Sequence, residues 1–162
     1  LTLVEYVVLG RAPYLHLLQL PRPEDREIAW QALRDVGMEH LADRSVPSLS
    51  GGERQLAAVA RALAQQPQIL LADEPTSHLD LRNRRAVLDV LAGQAREGRT
   101  VVMTTHDPNA AAAVAQTVVL LRNGEVLAAG VPAEVITSAT LSRVYGVDIE
   151  VEIIRGRPTV LD

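Results

Sequence analysis

Along the chain, short continuous apolar runs alternate with longer stretches in which apolar residues recur every three or four positions. From Leu49 onward that alternation predicts a parallel α/β sheet. The runs Gln68–Ala72 and Thr100–Thr104 predict strands buried on both faces. Between them, Gly51–Gln65 sets Leu56, Val59, Ala60 and Leu63 on one helical stripe, and Leu81–Glu97 does the same with Val87, Leu88 and Leu91 before Gly98. Asp107 followed by Pro108 opens a further helix as N-cap and first position. Residues 1–48 read as helical instead. Thr2–Leu9 is short and apolar, and Pro23–Val36 carries Ile28, Leu33 and Val36, with Glu24 and Asp25 in its first turn and Gly37 past its end. Pro13, Pro21 and Pro23 break the chain between these two, and Arg44–Leu49 reads as a linker.

The last third changes pattern. Val118–Leu121, Asn123-Gly124 and Val126–Ala128 spell a hairpin with a type I′ turn, so the sheet acquires an antiparallel piece. Two short helices follow, Pro132–Ile136 and Ala139–Tyr145, the second closed by Gly146. Val147, Ile149, Val151 and Ile153 then alternate with acids as a half-exposed strand, which Gly156–Pro158 turns back. The expected division is a helical part, 1–48, an α/β core, 49–130, and a tail of helices and strand, 131–162.

Composition narrows the chemistry. In 162 residues, 48% are hydrophobic and 22% charged, which is ordinary globular usage and excludes disordered and low-complexity classes. A net charge of −4 supplies no general positive field for nucleic acid or anionic lipid. The absence of cysteine removes disulfides, thiolate metal sites and thiol nucleophiles together. No apolar run reaches the roughly 20 residues of a membrane span. All 16 basic residues are Arg, and there is no Lys.

Four segments carry candidate chemistry. In Leu49-Ser50-Gly51-Gly52-Glu53-Arg54-Gln55, Ser50 and Glu53 form a capping box. Two glycines in a first turn each cost up to about 1 kcal/mol against Ala, and capping alone does not require them. A helix start with a Ser hydroxyl and unhindered amides suits a phosphate oxygen. In Ile69-Leu70-Leu71-Ala72-Asp73-Glu74-Pro75, an apolar strand delivers two carboxylates at its carboxyl end, where open α/β sheets place ligands. Such a pair is either a solvated loop or a division of labour, with Asp73 holding Mg²⁺ and Glu74 polarising a water. Asp80 in Ser77-His78-Leu79-Asp80 reads as an N-cap, and His106 in Thr104-Thr105-His106-Asp107 ends the next strand. An imidazole there is either structural or placed to reach a phosphate. His16 and His40 read as surface or packing residues.

In order and spacing, LSGGERQ, ILLADEP, SHLD and TTHD resemble the signature, Walker B, D-loop and switch histidine of the ATP-binding cassette ATPases. The resemblance covers essentially the whole chain. It implies a partial P-loop NTPase-like fold, α/β with a mainly parallel sheet, preceded by the helical subdomain. It implies that Ser50, Gly51, Gly52 and Glu53 contact ATP held by a facing second ATPase subunit in a head-to-tail dimer. It further implies Asp73 at Mg²⁺, Glu74 as general base, Asp80 as cross-dimer acid and His106 at the γ-phosphate. The family's phosphate loop, GxxxxGK followed by Ser or Thr, is missing, and without Lys no variant spacing can hide it. The chain thus resembles the C-terminal portion of a cassette, one unable to cradle ATP alone. His78 stands where the family usually has Ala.

Leu3-Val4-Glu5-Tyr6-Val7-Val8-Leu9-Gly10-Arg11-Ala12-Pro13-Tyr14 and the tail from Gly130 to Val147 are similar to importers of iron siderophores, haem and cobalamin. The intact protein is then expected to hydrolyse ATP at the cytoplasmic face of a membrane. Its expected partners are transmembrane permease subunits and, indirectly, a substrate-binding protein, without nucleic acid. Two alternatives stand beside this reading. One is a soluble cassette outside transport, against which the compact helical segment speaks. The other is a non-hydrolysing partner that donates its signature face, for which Glu74 and His106 would be superfluous.

Overall fold

A computed structural model describes residues 1–16 and 19–161, and these gather into two compact units, Leu1–Thr104 and Thr105–Asp162.

In the first unit, α1 (Leu3–Val8) starts at Thr2, whose Oγ1 accepts from the Glu5 N–H while the Glu5 carboxylate accepts from the Thr2 N–H. The helix tightens into a 3₁₀ turn over Leu9–Tyr14 that contains Pro13. Next, α2 (Pro23–Asp35) begins with proline at its first position, where the missing N–H is harmless. The linker before Ser50 is ordered as another 3₁₀ turn, Val46–Ser48, and Ser45 bridges back to Thr2. Leu3, Val7, Leu33, Leu56, Ala60 and Leu63 are buried in one cluster with Leu70, Val87 and Leu91. The helical part therefore shares its core with α3 (Gly51–Ala64), β1 (Ile69–Ala72) and α4 (Leu81–Arg96). Each fully buried Leu or Val contributes about 1.5–3 kcal/mol.

Arg11 fastens the 3₁₀ turn to two helices at once. Its Nε donates to Asp25 Oδ1 at 3.0 Å, its Nη1 donates to the Ala64 carbonyl at 2.9 Å, and its guanidinium lies 4.0 Å from the Tyr14 ring centre. Tyr14 adds a hydrogen bond of 2.7 Å to the Gln65 carbonyl. The C-terminal carbonyls of α3 are thus satisfied by a cation and a phenol from the helical part. Gly10 lies so close to the Arg61 carbonyl that a Cβ there would overlap it.

After α4 the chain returns as β2 (Thr100–Met103), parallel to β1 in the register Ile69 to Thr100 through Ala72 to Met103. These strands are not buried on both faces. Leu70 is buried, whereas Ile69, Leu71 and Val102 are 61%, 75% and 51% exposed, because the helices of this unit cover one face of the pair. An apolar run without alternation cannot reveal which face is covered.

The second unit holds α5 (Pro108–Val114), then β3 (Val118–Arg122) and β4 (Glu125–Gly130), antiparallel through Asn123 and Gly124. Their φ angles, +53° and +82°, are those of the expected I′ turn. Next come α6 (Pro132–Val135) and α7 (Ser138–Tyr145), the latter ended by Gly146 at φ +75°. Val118, Val135, Ile136 and Leu141 form the core. The tail pairs β5 (Glu150–Ile154) with β6 (Arg157–Leu161). Val147 stays outside that strand, and the reversal falls on Arg155 and Gly156, with Pro158 inside β6. Helix side chains occupy both edges of this hairpin. Ser142 and Ser138 accept from the Ile149 and Val151 N–H groups, and Asn109 exchanges hydrogen bonds with Val160. Among the described residues the parallel pairing is β1 with β2 and the antiparallel pieces are the two hairpins.

Candidate functional site

At the start of α3, the capping box is formed as expected. Ser50 Oγ accepts from the Glu53 N–H at 3.3 Å, and Glu53 Oε2 accepts from the Ser50 N–H at 2.6 Å. The Glu53 carboxyl is held below its ordinary value of 4.5, chiefly by the hydrogen bonds from Ser50, with Arg44 and His40 adding positive charge. Arg44 also grips the preceding turn through Ser48 Oγ at 3.2 Å and the Ser48 carbonyl at 3.1 Å. The two glycines differ. Gly51 is exposed, with open space where a Cβ would stand, whereas Gly52 is buried against Asn83. Open space beside a helix N-terminus leaves the first amides accessible to an anion.

At the carboxyl end of β1, Asp73 and Glu74 are both exposed, and Thr104 joins them. Thr104 Oγ1 donates to Asp73 Oδ1 and accepts from the Glu74 N–H at 2.9 Å. Ser77 Oγ donates to Glu74 Oε2 at 2.6 Å, which orients that carboxylate. The Glu74 backbone lies at φ +42°, an uncommon conformation for a residue with a Cβ. Sequence reasoning missed Thr104 and Ser77 as members of this cluster. Thr104 carried a signal nonetheless, since it follows β2 where β1 delivers its acids.

Asp73, exposed and braced on one oxygen by Thr104, suits Mg²⁺, which is held by one or two carboxylates with water and phosphate oxygens completing its shell. Among the described residues no set of three metal-ligating side chains converges, so a closed all-protein cage is not on offer.

Asp80 caps α4 with both oxygens on one residue. Oδ1 accepts from the Asn83 N–H at 2.8 Å and Oδ2 from Asn83 Nδ2 at 3.0 Å. His78, at φ +60°, lies in the turn between Glu74 and Asp80. His106 belongs to the second unit, is exposed, and its carbonyl accepts from the Tyr145 hydroxyl at 3.1 Å. His16 and His40 are exposed, as expected of surface residues.

Comparison with known proteins shows what the chain resembles as a whole. The ABC transporter family profile matches residues 4–77. The ferric enterobactin transport ATP-binding protein FepC of Escherichia coli is 41% identical over 90% of this chain and 54% of its own length. The hemin import ATP-binding protein HmuV of Nocardia farcinica is 45% identical over 91% of this chain and 50% of its own. The chain spans about half the length of the curated relatives it matches. A metal-chelate type ABC transporter in an inward-facing conformation superposes over 100% of this chain and 67% of its own, with a TM-score of 0.90 and 33% identity. Four ordered motifs, a capping-box helix start, paired acids at a strand end and a relative this similar lead to one family: the chain belongs to the ABC transporters.

Proposed function

We propose that the protein containing this chain is the ATP-hydrolysing subunit of an importer for iron-siderophore or haem-type ligands. The observation that carries this reading is the cluster at the end of β1. There Glu74 is exposed and held by Ser77, while Asp73 and the Glu74 backbone share the Thr104 hydroxyl. Glu74 orients a water and accepts its proton as the oxygen attacks the γ-phosphorus of ATP, while the bond from that phosphorus to the β–γ bridging oxygen breaks and ADP leaves with its electron pair. Asp73 is the residue that would hold Mg²⁺, which when bound neutralises phosphate charge. Ser50, Gly51, Gly52 and Glu53 present the α3 end to ATP carried by a facing subunit, where the first amides and the Ser50 hydroxyl meet charge developing on the γ-phosphate. Asp80 meets that same facing subunit, and His106 reaches the γ-phosphate.

Hydrolysis is proposed of the whole protein, because a lysine-bearing phosphate loop is not among these residues. The ligand class rests on the relatives, which are named for ferric enterobactin and hemin. No helix among the described residues is long and apolar enough to cross a membrane. In this reading the subunit sits at the cytoplasmic face, docks on transmembrane permease subunits and serves a substrate-binding protein through them. The test is reconstitution of the intact protein with its permease in vesicles. ATP-dependent uptake of a ferric siderophore or of haem is expected. ATP consumption without uptake of either would overturn the importer assignment and leave the ATPase standing.

A further inference from the structure

The two glycines of the α3 start are bare for different reasons. A Cβ built on Gly51 meets nothing within 4 Å. One built on Gly52 overlaps the Nδ2 and Cγ of Asn83 and comes within 2.9 Å of its Cβ. From the other side, Asn83 is held by Asp80 through two hydrogen bonds of 2.8 and 3.0 Å. Capping α4 needs only the first of these, from the backbone N–H. The second takes the side-chain amide and leaves it wedged between the Asp80 carboxylate and the Gly52 backbone. Gly52 lies in the same helical turn as Ser50, Gly51 and Glu53.

We propose that Asn83 is a positioning residue that couples Asp80 to the Ser50–Glu53 end of α3 within one chain. The inference rests on the function proposed above, in which both ends face the ATP-bearing partner. A donor from that partner that engages Asp80 competes for the oxygen on which the Asn83 amide rests. Once released, the amide turns against a backbone that has no room for an added atom, and the start of α3 shifts. The state of Asp80 is thereby transmitted to the amides that meet phosphate.

The test is a mutant cycle in the intact protein, read as kcat and KM for ATP together with thermal melts. Gly52→Ala is expected to lower kcat by about tenfold or more, because its methyl collides with Asn83. Adding Asn83→Ala makes room for the methyl and should recover kcat to within about threefold of Asn83→Ala alone. By itself Asn83→Ala should lower kcat severalfold while KM and melting temperature stay those of the parent, since the backbone cap bond survives. Asn83→Asp keeps the shape, sets a second carboxylate against Asp80 and should lower kcat likewise. A Gly52→Ala defect unrelieved by Asn83→Ala would overturn the coupling, as would a parental kcat for Asn83→Ala or a loss that follows its melting temperature. Hydrogen exchange of the Gly51–Glu53 amides gives a readout independent of hydrolysis. Faster exchange is expected in both Asn83→Ala and Asp80→Ala, and unchanged exchange in either contradicts the proposal. A parent that hydrolyses no ATP would count against the proposed function. A parent that does, with a flat Gly52–Asn83 cycle, would count against this inference alone.

Discussion

Single hydroxyls and single hydrogens decide the chemistry at the residue scale. Thr104 serves two neighbours with one oxygen, donating to Asp73 and accepting from the Glu74 N–H. Thr104→Val keeps the shape and removes both bonds, at a stability cost of about 0.5–1.5 kcal/mol for a hydrogen bond at an exposed site. The expected result is a kcat reduced by much more than the small shift in melting temperature, and a parental kcat would deny Thr104 this role. Gly51→Ala is predicted to go the opposite way on stability. The added methyl meets nothing, so the fold gains or holds within about 1 kcal/mol while ATP hydrolysis falls, because the methyl stands where the proposed function brings phosphate. Glu53 adds a pH dependence. Its carboxyl is lowered in the folded chain, so its contribution to stability is complete above the ordinary value of 4.5 and is lost as pH falls through the lowered one. Melting temperature followed from pH 7 to pH 3 should drop more steeply in the parent than in Glu53→Gln, and parallel curves would deny this cap its part.

At the scale of elements, α3 is held at both ends by the helical part: Arg44 grips the turn that delivers Ser50, and Arg11 with Tyr14 takes the last carbonyls. A buried ion pair fixes geometry more than it adds stability, whereas removing one partner strands the other. Arg11→Met should therefore lower the melting temperature by on the order of 5 °C or more, and combining it with Asp25→Leu should cost less than the two single losses together. Additive losses would mean that the two charges do not act as a pair. Much of this scale was readable in advance, because caps and turns are local. Ser50 with Glu53, Asp80, Asp107 and the Asn123-Gly124 turn all act within three residues, and the stripes Leu56, Val59, Ala60, Leu63 and Val87, Leu88, Leu91 are buried as their spacing implied. Contacts between segments distant in sequence were not readable. Nothing in the sequence of Gly52 or Asn83 says that they touch, and nothing near Asp73 says that Thr104, 31 residues on, braces it. The uniform apolar run of β1 likewise carried no sign that Ile69 and Leu71 would face outward.

For the molecule as a whole, two strand pairs expose apolar residues. Ile69, Leu71 and Val102 stand on one face of the parallel pair, and Val119, Leu121 and Val126 are exposed on the β3–β4 hairpin. Exposed apolar surface on either strand pair drives association in water. Expressed as these 162 residues, the chain should bind a hydrophobic dye and self-associate as concentration rises, and Leu71→Thr with Ile69→Thr should weaken both. Monomeric behaviour at every concentration would count against the exposed face. The proposed function rests on Glu74, the group to which that chemistry gives the attacking water. The most direct test is ATP hydrolysis by the intact protein beside its Glu74→Gln variant, with bound nucleotide measured in both. The account predicts that Glu74→Gln loses at least about a hundredfold in turnover while retaining ATP in a closed dimer. Turnover equal to that of the parent would show that Glu74 is not the base.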